Sequence, residues 1–402
     1  MRLYVYIDTS VDGFRAFRLM VADWVGVCCP QRLRCFKCKI LEFTSLLKGV
    51  SKAKQRACAE GQTDRPTIAK LTYLQHAPRG GHTMQRILIT GANGFVGQML
   101  CRKLQQAGHH VAALVSPGSP RSSHAAESLH CDIRDASGLE HAVSQSNPTH
   151  VVHLAAITHV PASFEDPLTT WQTNVMGSMN LLQALQRQNP QAFVLFVSSS
   201  EVYGEAFKQG IALDENSICR PMNPYAASKL AAETAFHENF RRGQKGIVVR
   251  PFNHIGAGQS ADFATASFAR QIALIEAGRQ APQLKVGNLQ AERDFLDVSD
   301  VCDAYIALLK MADTRQAHAR CMNICRGEPI SMKAILTQLT ALSSSTIEVV
   351  NDPDRMRPSD IPSAFGDNSA IRTVTDWEPT TKLQDTLATL LNYWRDEVAE
   401  MV

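Results

Sequence analysis

The strongest constraint on this 402-residue chain lies at residues 86–97. A short apolar run, Ile87-Leu88-Ile89, leads into Gly91-Ala-Asn93-Gly94-Phe95-Val96-Gly97, and a helical pattern follows through Leu104. Strand, glycine turn and helix in that order form the setting in which a pyrophosphate is held. Glycine lets the backbone turn tightly and approach phosphate closely. The helix start supplies unpaired N–H groups and a favourable dipole. Gly91, Asn93, Gly94, Phe95, Val96 and Gly97 are therefore expected to line a dinucleotide.

The next apolar run, His110–Val115, fits a second parallel strand. Dinucleotide folds usually place Asp or Glu at its end to hold the ribose 2′-hydroxyl. Ser116 stands there instead, followed by Pro117-Gly-Ser-Pro-Arg121. Without the acid a 2′-phosphate meets no repulsion, and Arg121 can pair with it, which favours NADPH and leaves NADH open. Arg121 reads equally well as a solvated loop residue. Asp132, followed by Ile133, is placed to accept from the adenine amino group. A third run, Val151 to Ala156, ends in Leu154, Ala155 and Ala156, where small residues let backbone meet cofactor. Asn174 is expected to open a helix through Leu185 and to touch the cofactor. Ala192–Ser198 reads as a further strand. Strands alternating with helices predict an α/β, doubly wound parallel sheet, with its ligand crevice at the carboxyl ends of the strands.

That last strand delivers Ser198-Ser199-Ser200-Glu201-Val-Tyr203-Gly204 to the crevice, and Asn223-Pro-Tyr225-Ala-Ala-Ser-Lys229 enters a long helix. Tyr225 and Lys229 are four apart and share a face. A tyrosine near pKa 10 is a poor acid–base group at neutral pH, and a neighbouring ammonium brings it toward working pH. Ser199 can hydrogen-bond the same substrate oxygen. A ketone reduced by hydride needs such a proton donor to quench the forming alkoxide.

With these motifs in this order the chain resembles an extended short-chain dehydrogenase/reductase from about Met84 onward. The resemblance implies a Rossmann-type sheet, catalytic Ser199, Tyr225 and Lys229, and a smaller C-terminal substrate-binding lobe. Arg250-Pro-Phe-Asn253-His-Ile-Gly, Arg293-Asp-Phe-Leu, Arg355-Met-Arg357-Pro-Ser-Asp360 and Asp376-Trp-Glu-Pro resemble the GDP-4-keto-6-deoxy-mannose reductase group. That likeness implies reduction of the 4-keto sugar to GDP-rhamnose. Asn253 would lie along the sugar–diphosphate path, Arg293 and Arg357 on the diphosphate, and Asp360 on ribose hydroxyls. Arg293 could instead pair with Asp294 or Asp297, and Asp360 could cap a helix. The rival is GDP-mannose 4,6-dehydratase, a lyase, or another nucleotide-sugar epimerase or dehydratase of the family. Glu201 sits where dehydratases carry their base, and otherwise serves to orient the loop. The rival's glycine turn and arginine region usually read differently from Gly94-Phe-Val-Gly97 and Arg293-Asp-Phe-Leu. A non-catalytic nucleotide sensor conflicts with the intact Ser199, Tyr225 and Lys229.

Composition divides the chain. Residues 1–83 carry 14 Lys and Arg against 6 Asp and Glu, and the remainder 27 against 32. The expected domains are a basic extension over 1–83, a cofactor domain over 84–252, and 253–402 as mainly the nucleotide-sugar lobe, with segments returning to the cofactor domain. The extension reads as weakly ordered, or as an over-extended frame ahead of a true start at Met84. Cys35 and Cys38 form half a zinc site without a second pair, so no metal is expected. Basic residues among aromatics make nucleic acid the other reading of that segment alone. A net charge of +3 and scattered cysteines point to a cytoplasmic protein with no membrane or nucleic-acid partner. The helix from Tyr225 to Phe240, with Leu230, Ala231, Thr234 and Ala235 near one surface, is expected by family likeness to build a homodimer.

Overall fold

The computed structural model describes residues 84–314, 320–355 and 361–401. The basic extension with Cys35 and Cys38, and the candidate ligands Arg357 and Asp360, lie outside the described residues.

Seven strands build the main sheet: β1 (Arg86–Thr90), β2 (His110–Val115), β3 (Glu127–His130), β4 (His150–His153), β5 (Phe193–Val197), β6 (Gly246–Pro251) and β10 (Cys321–Ile324). Their order is β10-β6-β5-β4-β1-β2-β3. Every pairing in it is parallel. The chain runs outward from β1 through β2 and β3, then returns to β4 on the other side of β1. That reversal opens a crevice between β1 and β4.

The inner strands are buried almost throughout, as a sheet covered on both faces requires. Successive side chains alternate between two cores. Ile87 and Ile89 pack with Leu100 and Leu104 of α1 (Phe95–Gln106) and with Val301 and Leu308 of α8 (Val298–Leu309). Leu88 and Phe196 face the other way. They meet Leu139 of α2 (Ala136–Ser146), Leu181 and Leu185 of α5 (Gly177–Gln188) and Phe236 of α6 (Pro224–Arg241).

The helix expected at Asn174 begins earlier and is not uniform. Short helices α3 (Val160–Glu165) and α4 (Pro167–Trp171) run into one π-turn, Gln172–Met176, before α5. Wider turns of this kind occur where a side chain must be redirected, and here Asn174 is turned into the interior.

After β6 the chain leaves the sheet for a smaller lobe. There β9 (Glu292–Asp297) pairs with β7 (Asn253–Ile255), β11 (Pro329–Ser331) and β13 (Ser363–Ala364), while β8 (Gln283–Val286) pairs with β12 (Glu348–Asn351). Helices α7 (Ala264–Glu276), α9 (Met332–Ala341) and α11 (Leu383–Glu400) close a third core around Phe268, Ile335, Leu390 and Trp394. The path is not a clean excursion, because α8 and β10 return to the main sheet. So does α10 (Ser369–Val374), which inserts Ile371 beside Trp377. Among the described residues no helix is long and apolar enough to cross a membrane.

Candidate active site

At the end of β1 the backbone of Gly91 has φ +69°, and a Cβ there would lie 2.8 Å from the Ala155 nitrogen. Only glycine lets β1 turn away so close to β4. At Gly97 a side chain would collide with the Gly91 and Ala92 carbonyls, so helix α1 starts tight against the turn. Gly94 caps that helix with no side-chain acceptor for its first N–H groups. The turn, the open helix end and an adjoining cavity of about 340 Å³ fit a dinucleotide. Gly91, Asp132, Ile133, Ala155 and Ala156 line the cavity, together with Ser116 and Arg134.

Four expected cofactor contacts have other partners, and Arg121 stands outside the cavity lining. Asn93 donates to the Pro120 carbonyl at 2.6 Å, pinning the 116–121 loop to the glycine turn. Arg121 on that loop is exposed and is not among the lining residues. Asn174 is buried with its amide engaged: Oδ1 accepts from Ile157 N at 2.8 Å, and Nδ2 donates to the Ile157 carbonyl and to Ser228 Oγ. Leu154 packs against the first core. Phe95 stacks on His254 of the lobe, the rings parallel within 4°.

Arg134 and Thr173 line the cavity and were not anticipated. The Arg134 guanidinium donates to both Asp132 oxygens, down to 2.6 Å, which holds the Asp132 carboxyl below its usual range. The Asp-x-Arg spacing at 132–134 was the available signal.

Ser199 ends β5 and begins a 3-10 turn, Ser200–Tyr203, by accepting from Glu201 N at 3.2 Å. Beyond it Gly204 has φ +48°, where any side chain would strike the Arg220 carbonyl. Helix α6 starts with Asn223 as cap and Pro224 in its first turn, and Asn223 Oδ1 accepts from Ala226 N at 2.7 Å. This cap fixes where Tyr225 points. Tyr225 is buried, and Ser199 lies close enough to its phenol to favour the phenolate.

Sequence spacing predicts that Lys229 pulls the phenol toward neutral pH. Instead burial pushes Tyr225 up to about 12, Ser199 opposing and the Glu201 carboxylate reinforcing. Burial also brings Lys229 down to about 8, its Nζ lying 4.7 Å over the Phe196 ring. Both groups have left water, so desolvation outweighs their neighbours. At neutral pH the arrangement is a phenol beside a largely charged ammonium, which is the state a proton donor requires.

Against the loop that follows Ser199 is a small hollow lined by Ser200, Glu201, Phe207, Asn253 and Arg293. Glu201 comes from the catalytic loop, whereas Asn253 and Arg293 come from β7 and β9 of the lobe. Asp294 and Asp297, the alternative partners for Arg293, have other work. Asp294 accepts from the N–H groups of Arg326 and Gly327, and Asp297 from Ser299 N. Arg293 donates to the Glu292 and Ile361 carbonyls and lies in the field of Glu201. Glu201 Oε2 accepts from Asn223 Nδ2 at 3.1 Å.

A protein-family model described as GDP-mannose 4,6 dehydratase matches residues 88–390. The chain belongs to that family. This family member is 36% identical to a GDP-6-deoxy-D-mannose reductase of Pseudomonas aeruginosa, over 79% of this chain and 99% of the relative. A GDP-6-deoxy-D-talose 4-dehydrogenase of Aggregatibacter actinomycetemcomitans is 29% identical, over 72% and 90%. The solved structure of RMD from Pseudomonas aeruginosa complexed with NADPH matches with a TM-score of 0.68 and 34% identity, covering 78% of this chain and 100% of that one. The family member is thus an NAD(P)-dependent enzyme of the extended short-chain dehydrogenase/reductase type.

Proposed function

We propose that this chain reduces the 4-keto group of GDP-4-keto-6-deoxy-D-mannose to GDP-6-deoxy-D-mannose (GDP-rhamnose), with NADPH as reductant. The observation that carries the reading is the placement of buried Tyr225 and Lys229 one turn apart on α6, with Ser199 just beyond β5. Tyr225 is held as a phenol by burial, with Ser199 close by. A nicotinamide dinucleotide held at the glycine turn would supply hydride to the carbonyl carbon. Tyr225 gives its proton to the carbonyl oxygen, Ser199 orients that oxygen, and Lys229 stabilises the phenolate left behind. Glu201 is already tied to the cap of the Tyr225 helix, which supports an orienting task over abstraction of a sugar proton.

In this proposal residues 84–252 hold the cofactor, and 253–402 mainly hold the nucleotide-sugar. Asn253 and Arg293 face the sugar and its diphosphate, and Arg357 and Asp360 are kept as expected ligands. The glycine turn, Phe95, Val96, Asp132, Ile133, Leu154, Ala155 and Ala156 surround the dinucleotide. Ser116 and Arg134 support the preference for a 2′-phosphate. The cytoplasmic setting belongs to the same proposal, supported by free thiols at Cys101, Cys131, Cys219, Cys302, Cys321 and Cys325.

A homodimer is proposed on a separate observation. Phe164, Leu168, Trp171, Met176 and Met179 are exposed along α3, α4, the π-turn and α5. They lie beside the half-exposed Leu230, Ala231 and Ala235 of α6. A continuous apolar face of this kind marks an interaction surface.

The test follows nicotinamide absorbance in two reactions. One holds the 4-keto sugar nucleotide with NADPH, and the other GDP-mannose with catalytic NADP and no reductant. NADPH oxidation in the first, abolished by Tyr225→Phe, supports the reductase. A 4-keto product in the second overturns it and makes Glu201 the base of an elimination.

A further inference from the structure

One buried ion pair ties together the elements that carry the catalytic groups. Glu233 stands one turn beyond Lys229 on α6, and both are buried. Its two oxygens are taken by Arg250 of β6, with Nε to Oε1 at 3.0 Å and Nη2 to Oε2 at 2.7 Å. The same guanidinium lies 4.8 Å over the ring of Tyr203, at the end of the loop that begins at Ser199. Tyr203 in turn donates to Asn323 Oδ1 of β10 at 2.7 Å. Serine loop, tyrosine–lysine helix and two neighbouring strands are therefore linked through one buried ion pair and the tyrosine stacked on it.

Burying a charged pair costs desolvation, and an apolar pair of the same shape would pack this position at least as well. A reason to keep the charge stands one turn away. Lys229 has lost water, and its surroundings are the face of Phe196, the His153 ring and the Glu233 carboxylate. His153 is neutral and fixed. Ser178 Oγ donates to the Asn174 carbonyl, so it receives from His153 Nε2, leaving Nδ1 to accept from Thr90 Oγ1 at 2.7 Å. Burial and the nearby Lys229 charge both push that histidine down to about 3. It offers Lys229 no countercharge.

We propose that Glu233 is a positioning residue for the reaction: clamped by Arg250, its carboxylate keeps the buried Lys229 ammonium charged and in register with Tyr225. The charges alternate, Lys229 positive, Glu233 negative and Arg250 positive, and the charge that favours the ammonium of Lys229 is that of Glu233. The other titratable groups facing these charges are Tyr225 and His237 on α6, Tyr203 on the serine loop, Cys219 on the loop before the helix, and Cys321 on β10. Burial raises both thiols and Tyr203 above their ordinary values and lowers His237, so these four stay uncharged near neutrality.

The inference rests on the Tyr225–Lys229 chemistry proposed above, and its test needs no substrate. Full-length protein with ¹³Cε-labelled lysine is titrated by NMR, the Lys229 signal being assigned by its loss in Lys229→Arg. Glu233→Gln is expected to lower the Lys229 titration by about one unit or more, and Arg250→Gln to raise it. Shifts of opposite sign are the signature, since mere loosening of the fold would not produce them. An unmoved Lys229, or shifts of the same sign, overturns the proposal. Should a single variant fail to fold, the double variant Glu233→Gln/Arg250→Gln leaves no stranded charge. It is expected to titrate below wild type, and an unchanged or higher value overturns the proposal. Absence of turnover on the 4-keto sugar would sink the reductase reading and leave this titration standing.

Discussion

Asn223 uses both ends of its amide on the catalytic apparatus. The oxygen caps the helix that presents Tyr225, and the nitrogen donates to Glu201 at 3.1 Å. Glutamine at 201 can still accept that bond through its amide oxygen, so Glu201→Gln is expected to retain NADPH oxidation within about tenfold. An elimination base would lose on the order of 10²–10⁴ with the same change. Steady-state rates of the two purified proteins decide between them.

Tyr225→Phe removes the proton donor and little volume. The expected loss in kcat is about 10²–10⁴, with NADPH affinity within a few fold of wild type. Cofactor fluorescence and single-turnover rates on the same sample separate the two effects.

The pH profile follows from Lys229. Its titration lies near 8 in the folded chain against an ordinary 10.5. The ammonium is lost as pH rises through about 8, and kcat is expected to fall there. Stability moves the other way. Between pH 8 and 10.5 the unfolded lysine holds a proton that the folded one has released, so this group adds stability as pH rises across that window. Paired activity and denaturation profiles test the opposed slopes.

Arg134 rather than Arg121 is expected to govern the choice between NADPH and NADH. It lines the cofactor cavity a few residues beyond β3, as Ser116 does beyond β2. Arg134→Ala should raise the KM for NADPH about tenfold or more and leave that for NADH nearly unchanged. Arg121→Ala should change neither, and the KM values of both variants with both cofactors check this.

Leu168 and Trp171 stand one turn apart on the exposed apolar face. A charge at each position should prevent its burial between two copies. Leu168→Glu with Trp171→Glu is expected to convert a dimer to monomers in analytical ultracentrifugation. An unaltered sedimentation coefficient would place the contact elsewhere.

The parts of this protein that were legible beforehand are those whose chemistry acts over short stretches of chain. Gly91 and Gly97 mark a turn that any side chain would block, and Tyr225 with Lys229 mark one helix face. The missing parts depend on residues far apart in sequence. Asn174 was expected at the cofactor, but Ile157 and Ser228 claim its amide, and the π-turn that rotates it inward leaves no periodic signal. Arg134 is the exception, since its partner Asp132 stands only two residues away. Glu233 and Arg250 look like ordinary surface charges until α6 is laid on β6. Lys229 was expected to dominate Tyr225, yet pairwise reasoning left out burial, which acts on both.

The return of α8 and β10 to the main sheet has a consequence for how the chain can be divided. Strand β10 pairs with β6 only after some seventy intervening residues have supplied β7, α7, β8 and β9 to the lobe. The first half cannot complete its core alone, since Val301, Leu308 and Met322 fill the space beneath β1 and β5. Cleaving or transplanting the chain at residue 252 would leave the first fragment short of one wall, and the second with the apolar faces of α8 and β10 uncovered. Folding must close that long connection before its contacts reward it, so it is expected to be slow and to end in a single cooperative step. Exchange of substrate specificity between relatives would then proceed by change at individual side chains, since the lobe cannot be traded as a module.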